Sequence, residues 1–250
     1  MEFLYFAEIN CMSAGLTVDQ QSNLRENRTL PNQPAVLKLV AKIISYVFHP
    51  VFVPVYVIYF LAFIHPYLYA GFDVRIKNTA VMAAAFIAFT FFPIVTVLLL
   101  KGLKFIDSIY LRTQKDRVIP FIACMIWYFW IWYVWNNFGK TNAAIDMPHE
   151  AVQFALATFL STIIGLMVNI KMKVSLHAIS AGIVLTFFII MALTQELNFG
   201  VWLAIVVLLT GLVCTARFIV SDHTVQEVYG GLVAGAVSML LARWLEMNVL

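Results

Sequence analysis

Charge is what this sequence has least of. Asp, Glu, Lys and Arg make up 12% of its 250 residues, about half the share in a soluble domain, while 62% are hydrophobic and the mean hydropathy is +0.89. That scarcity excludes a soluble globular fold and a disordered chain. A nucleic-acid partner is excluded too, because the net charge is only +3 and the sixteen Lys and Arg are too dispersed to track a phosphate backbone. Cysteine is equally scarce. Cys11, Cys124 and Cys214 make neither a disulfide framework nor a Cys-x-x-Cys zinc pair, and two of them lie in apolar runs where a thiol behaves as a small hydrophobe.

What the chain has instead is long apolar runs. A helix needs roughly 20 apolar residues to cross a bilayer with every backbone group satisfied. Runs of that kind occur at about 43–64, 79–100, 118–136, 151–170, 175–195, 200–217 and 224–245. None alternates apolar and polar as a barrel strand does. The expectation is an all-α polytopic membrane helix bundle of about six to seven transmembrane helices, built from residues 38–250 and integral to the cell (inner) membrane. Residues 1–37 differ: Asp19–Asn23 and Arg25–Arg28 are polar, and Pro31 and Pro34 discourage a helix, so a flexible tail is expected there. Glu2 and Glu8 stand where a signal peptide would carry positive charge.

With seven spans, the N-terminal side of the membrane holds Arg25, Arg28, Lys38, Lys42, Lys101, Lys104, Arg112, Lys115, Arg117, Lys171, Lys173 and Arg217, against Arg75, Lys77, Lys140 and Arg243 on the other. Twelve against four, or nine against four without the three candidate ligands among them, assigns the N-terminal side to the cytoplasm. Trp127, Trp130, Trp132 and Trp135, with Tyr128 and Tyr133, read as an aromatic belt near the headgroups.

Ionisable groups at membrane depth are functional candidates by default. His49 sits between Pro50 and an apolar run, where broken helix geometry frees carbonyls for an imidazole to bond, so a structural role is expected. His65 and His149 fall in loops on the far side. His177 and His223 lie at cytoplasmic span ends, where Lys115, Arg117, Ser175, Arg217 and Glu227 also gather. Cations repel a metal ion but suit a phosphate, and three of the span ends there are helix N-termini with N–H groups to offer. The pattern is an anion cradle that needs no cofactor. His223 and Glu227, four residues apart, are expected on one helix face, where the carboxylate fixes the tautomer and leaves the other ring nitrogen free to attack. His177 is suited to protonate a leaving oxygen.

These residues resemble the type 2 phosphatidic acid phosphatase superfamily, the lipid phosphate phosphatases. The segment Ala216-Arg217 through His223 to Glu227 and Gly230 keeps the spacing of its third signature, with Ala216 for Ser and Glu227 for Asp. Val174-Ser175-Leu176-His177 is similar to the second, without its Pro and Gly. The first is absent as such, although Arg112, Lys115 and Arg117 occupy its region. The resemblance covers about residues 110–240. It implies metal-independent hydrolysis of a phosphomonoester or diphosphate lipid through a phosphohistidine. His223 would be the nucleophile, Glu227 its orienting group and His177 the general acid, while Arg217, Arg117, Lys115 and Ser175 would hold the phosphoryl oxygens. The partners implied are a lipid phosphate substrate and the surrounding membrane lipids. Phe105, Ile106, Ile109 and Tyr110 would share a helical face that guides a headgroup in, or form an ordinary connector. Three rivals stand beside this reading: a transporter or channel with a His/Arg/Glu relay, a degenerate phosphatase that binds without hydrolysing, and a metal hydrolase using His177, Asp222 and His223.

Overall fold

The protein is described from a computed structural model covering residues 15–18, 24–27, 33–109, 111, 113–138, 147–220 and 223–249. Among these residues the chain is helical apart from one short antiparallel pair, β1 (Gly15–Val18) with β2 (Leu24–Asn27), in the segment read as a tail. Helix α1 (Ala35–Val47) starts directly after Pro34, which cannot continue a helix backwards but fits its entry. Six further helices are long and apolar enough to cross a membrane: α3 (Val74–Gly102), α4 (Gln114–Asn136), α5 (His149–Lys171), α6 (Leu176–Thr194), α7 (Gly200–Val220) and α8 (Val225–Asn248). The seventh apolar segment, α2 (Val53–Ile64), is shorter. The chain is thus a membrane-embedded polytopic helix bundle.

The expected first span, 43–64, is not one helix. Pro50 lacks an N–H and disfavours helical geometry at His49, so the chain breaks between Val47 and Val53. The backbone groups freed by that break find partners across the fold. Thr90 Oγ1 donates to the Val51 carbonyl at 2.6 Å and the Tyr56 hydroxyl to the Val47 carbonyl at 3.1 Å. Pro93 has a related effect in α3, where the turn Ile87–Phe91 just before it widens into π-helical geometry.

The aromatic run on α4 divides rather than forming a single belt. Trp130 and Tyr133 are exposed, whereas Tyr128 and Trp135 are buried with Phe89, whose ring lies 5.4 and 6.1 Å from theirs. A helix presents consecutive residues about 100° apart, so a nine-residue aromatic stretch must face both lipid and core. The connector after α3 departs from expectation as well. Lys104 turns the chain through the left-handed region (φ 62°), and residues 103–109 form turns and bends instead of a helix. Ile106 is buried while Phe105 and Ile109 are exposed, so no shared face exists; Tyr110 lies outside the described residues.

Two contacts position the functional end of the bundle. Gln114 and Asn169 exchange side-chain amide bonds with each other's backbone carbonyls at 2.8 and 2.9 Å, tying the start of α4 to the end of α5. The parallel helices α6 and α8 meet backbone to backbone: a Cβ at Gly182 would collide with the Leu232 carbonyl oxygen, and one at Gly235 with that of Ile179. Such close approach is how helices associate where no hydrophobic effect separates lipid from side chain. Gly235→Ala should therefore destabilise the folded bundle by ~1–3 kcal/mol, the usual cost of overpacking. A lower thermal midpoint for loss of helical signal in detergent would show it; an unchanged midpoint would mean the contact is slack.

Candidate active site

The starts of α4, α6 and α8 and the ends of α1 and α7 bring their ionisable residues together at one end of the bundle. His223 is 4% exposed and precedes the helix instead of riding on its face. Thr224 caps α8: its Oγ1 accepts from the Glu227 N–H at 3.2 Å, and Glu227 Oε2 accepts from the Thr224 N–H at 3.1 Å. This reciprocal capping box curls the Glu227 carboxylate back over the helix start. There the same Oε2 lies 2.8 Å from His223 Nδ1. A carboxylate only accepts, so Nδ1 carries the hydrogen and the lone pair of the neutral ring belongs to Nε2. The expected pairing exists, and the cap, not helical periodicity, makes it.

Burial pushes the His223 imidazole below its ordinary value, the Glu227 bond opposes that shift, and the nearby Arg117 and Arg217 charges reinforce it. Both arginines therefore lie within electrostatic reach of the ring. Arg117, buried near the start of α4, donates from Nε to the Leu111 carbonyl at 2.8 Å and from a terminal nitrogen to the Val174 carbonyl at 2.5 Å. Arg217 donates to Ser45 Oγ at 3.4 Å.

His177, second residue of α6, points its Nε2 at the Ser45 carbonyl oxygen, 3.0 Å away, and lies within electrostatic range of Arg217 and His223. That carbonyl is available because the break after Val47 sends the His49 N–H to Tyr46 instead. Ser175 is fully buried at the start of α6, its N–H donating to the Glu227 carbonyl at 3.1 Å, and its hydroxyl has no partner among the described residues. Lys115 stands apart. It is exposed while Arg117 is buried, because positions two apart on a helix face roughly opposite ways. Arg112 and Asp222 lie outside the described residues.

Three residues at this end are not among the site residues expected from the sequence. Lys173, one residue before Val174, is within electrostatic range of Glu227. Ser45 supplies both its carbonyl and its hydroxyl to the site. Among the described residues His49 bonds no freed carbonyl; its Nδ1 faces the Val51 N–H at 3.5 Å, and its ring meets His177 edge-on at 5.2 Å. The sequence signal for His49 is a histidine at the depth of the site, which the neighbouring Pro50 masks by suggesting backbone repair. His65 and His149 sit at the opposite end, bonded to Gln195 at 2.8 Å and Glu246 at 3.2 Å. No group of three His, Cys, Asp or Glu side chains comes together as a metal-ligand set among the described residues.

No protein-family model matches the chain, and no curated protein or solved structure does.

The direction of the His223 shift gives a direct test. Followed by its ring resonances, His223 should titrate below the ordinary imidazole value of ~6.5 and lower still in Glu227→Gln, which removes the group that favours the charged ring. A titration above 6.5, or one unmoved by Glu227→Gln, would contradict the geometry.

Proposed function

We propose that this protein is a membrane-embedded lipid phosphatase, of the type 2 phosphatidic acid phosphatase kind, hydrolysing a phosphomonoester or diphosphate lipid through a phosphohistidine. The observation that carries the reading is the 2.8 Å contact from His223 Nδ1 to Glu227, in a buried setting within reach of two arginines. A nucleophilic imidazole needs a neutral ring, a fixed tautomer and a cation partner for the phosphoryl group, and those are the three properties brought together here.

In the first step the His223 Nε2 lone pair forms a bond to phosphorus as the bond to the leaving oxygen breaks. The leaving oxygen takes a proton from His177. Arg117 and Arg217 stabilise the charge on the non-bridging oxygens, Ser175 has a hydroxyl to donate, and Lys173 adds positive charge nearby. In the second step water attacks the phosphohistidine, giving up its proton to His177, and inorganic phosphate leaves with His223 restored. Arg117 suits its task because its anchors are neutral carbonyls, which fix the guanidinium without cancelling its charge. Because His177 Nε2–H faces the Ser45 carbonyl, the ring acts as an acid only as the imidazolium, giving its Nδ1 proton to the leaving oxygen and regaining one from the attacking water in the second step.

Detergent-purified protein should release phosphate from at least one of phosphatidic acid, phosphatidylglycerol phosphate or a polyprenyl diphosphate, with excess chelator present and with inhibition by vanadate. His223→Ala should abolish turnover and Glu227→Gln should lower it by roughly a hundredfold or more, as loss of an orienting carboxylate does elsewhere. Silence across the panel would remove the enzyme and leave a lipid-phosphate-binding protein. Full activity in His223→Ala would remove the mechanism.

The excess of Lys and Arg assigned by sequence to the N-terminal side, nine against four without the three candidate ligands, supports a cytoplasmic site in a cell membrane. Single cysteines introduced at Lys101 and Lys173 should resist an impermeant thiol reagent in intact cells and react after lysis. Labelling in intact cells would reverse the orientation.

A further inference from the structure

Between α1 and α2, where Pro50 breaks the expected first span, stands a histidine that the phosphatase steps leave unused. His49 is half-buried in that break. Its ring meets the His177 ring edge-on at 5.2 Å and the Phe52 ring at 6.3 Å, so two neighbours hold its orientation. Nδ1 faces the Val51 N–H at 3.5 Å. A backbone N–H only donates, so Nδ1 keeps its lone pair and the hydrogen of the neutral ring belongs to Nε2. That N–H has no acceptor among the described residues. Arg217 acts electrostatically on His49 as it does on His177. Among the described residues no carboxylate hydrogen-bonds either ring, because Glu227 is engaged by His223 and the Thr224 N–H. The break therefore places a neutral donor and a cation beside His177, with no anion to meet them.

We propose, resting on the phosphatase reading, that His49 is a ligand for the departing phosphate of a diphosphate lipid and gives the site its preference for diphosphates over phosphomonoesters. His177 serves the leaving oxygen, so whatever leaves stands beside His177 and hence beside His49. An alcohol brings hydrocarbon to that place. A diphosphate brings a second phosphate, whose oxygens accept from the unused Nε2–H and answer the Arg217 charge. His223 Nε2 forms its bond to the terminal phosphorus as the bond from that phosphorus to the bridging oxygen breaks. The electron pair goes to the bridging oxygen, which takes the His177 Nδ1 proton and departs as a lipid monophosphate. His49 gives a hydrogen bond to a non-bridging oxygen of that group and transfers no proton. The leaving group itself favours the same substrate. A phosphate is a far weaker base than an alkoxide, so it demands less of His177, whose charged form stands within electrostatic range of Arg217.

The test uses the full-length protein in nanodiscs and two lipids with the same chains, dioleoylglycerol diphosphate and dioleoyl phosphatidic acid. The parent should favour the diphosphate in kcat/KM by about tenfold or more. His49→Phe keeps a ring against His177 and removes the donor. It should cost the diphosphate about tenfold more than it costs phosphatidic acid, the loss expected for one hydrogen bond to a charged group. His49→Gln, which returns an N–H donor, should recover most of that difference. Equal loss on both lipids, or no loss on the diphosphate, overturns the assignment. A second measurement needs no turnover: binding of farnesyl methylenediphosphonate, which resists hydrolysis, and of dodecylphosphonate to His223→Ala protein. Adding His49→Phe should weaken the diphosphonate about tenfold more than the monophosphonate, and equal weakening overturns the proposal. Methylenediphosphonate without a chain should displace the farnesyl compound poorly; equal displacement makes the ligand a soluble diphosphate and overturns the lipid assignment. If the parent turns over neither lipid, the phosphatase reading fails, while His49-dependent binding of the farnesyl diphosphonate still supports the second-phosphate ligand.

Discussion

The backbone contact between α6 and α8 is the constraint on which the site depends. Gly182 and Gly235 let the two helices touch main chain to main chain, and their N-termini then emerge side by side. Ser175 N–H reaches the Glu227 carbonyl across that junction, so the segment before α6 and the first turn of α8 are locked in register. His177 and His223 inherit their relation from this contact. Were the helices held apart by ordinary side chains, by a few ångströms, the two imidazoles could not share one substrate group as the proposed mechanism requires. The glycines are remote from the two histidines, yet they set how those rings stand to each other.

A second device sits in the broken helix. In hydrocarbon every unpaired backbone group is costly, so a break must be repaired from elsewhere in the fold. Thr90 and Tyr56 repair two of the carbonyls around Pro50. The Ser45 carbonyl is taken by His177, which turns a structural obligation into an orienting contact for a ring at the site. The same residue's hydroxyl receives Arg217. Thus the end of α1, which carries no family-like motif, aligns two residues that do.

Much of this was legible in the sequence and the rest was hidden for identifiable reasons. Apolar run lengths sufficed for the spans, because bilayer thickness imposes one length on every crossing helix. Alternation of direction puts the starts of α4, α6 and α8 and the end of α7 on one side of the bundle, and the structure brings Arg117, His177, Arg217 and His223 within electrostatic range there while Lys115 stands apart. Periodicity misplaced His223: it was read onto the face of α8, whereas the capping box puts it before the helix. Thr224 with Glu227 three residues on is a capping-box pattern, so that signal was available. Lys115 and Arg117 read as a pair by charge, but helix geometry sends one out and the other in. Ser45 and His49 depend on where α1 ends against α6 and α7, a tertiary fact that local pattern does not encode.

The scarcity of charge acquires a physical meaning in this setting. A chain that is 12% charged still holds a buried Arg117 within electrostatic reach of Arg217 as well as of the Glu227 carboxylate, and the two guanidinium groups repel in a medium of low dielectric. Holding Arg117 on two neutral carbonyls relieves its desolvation in part and leaves the mutual repulsion in place. On the proposed phosphatase reading, a bound phosphate anion would relieve that repulsion further. The favourable binding of a phosphoryl group would then offset the cost of assembling the cations. It would grow further as negative charge accumulates on the oxygens in the transition state, which is the condition for binding to become catalysis.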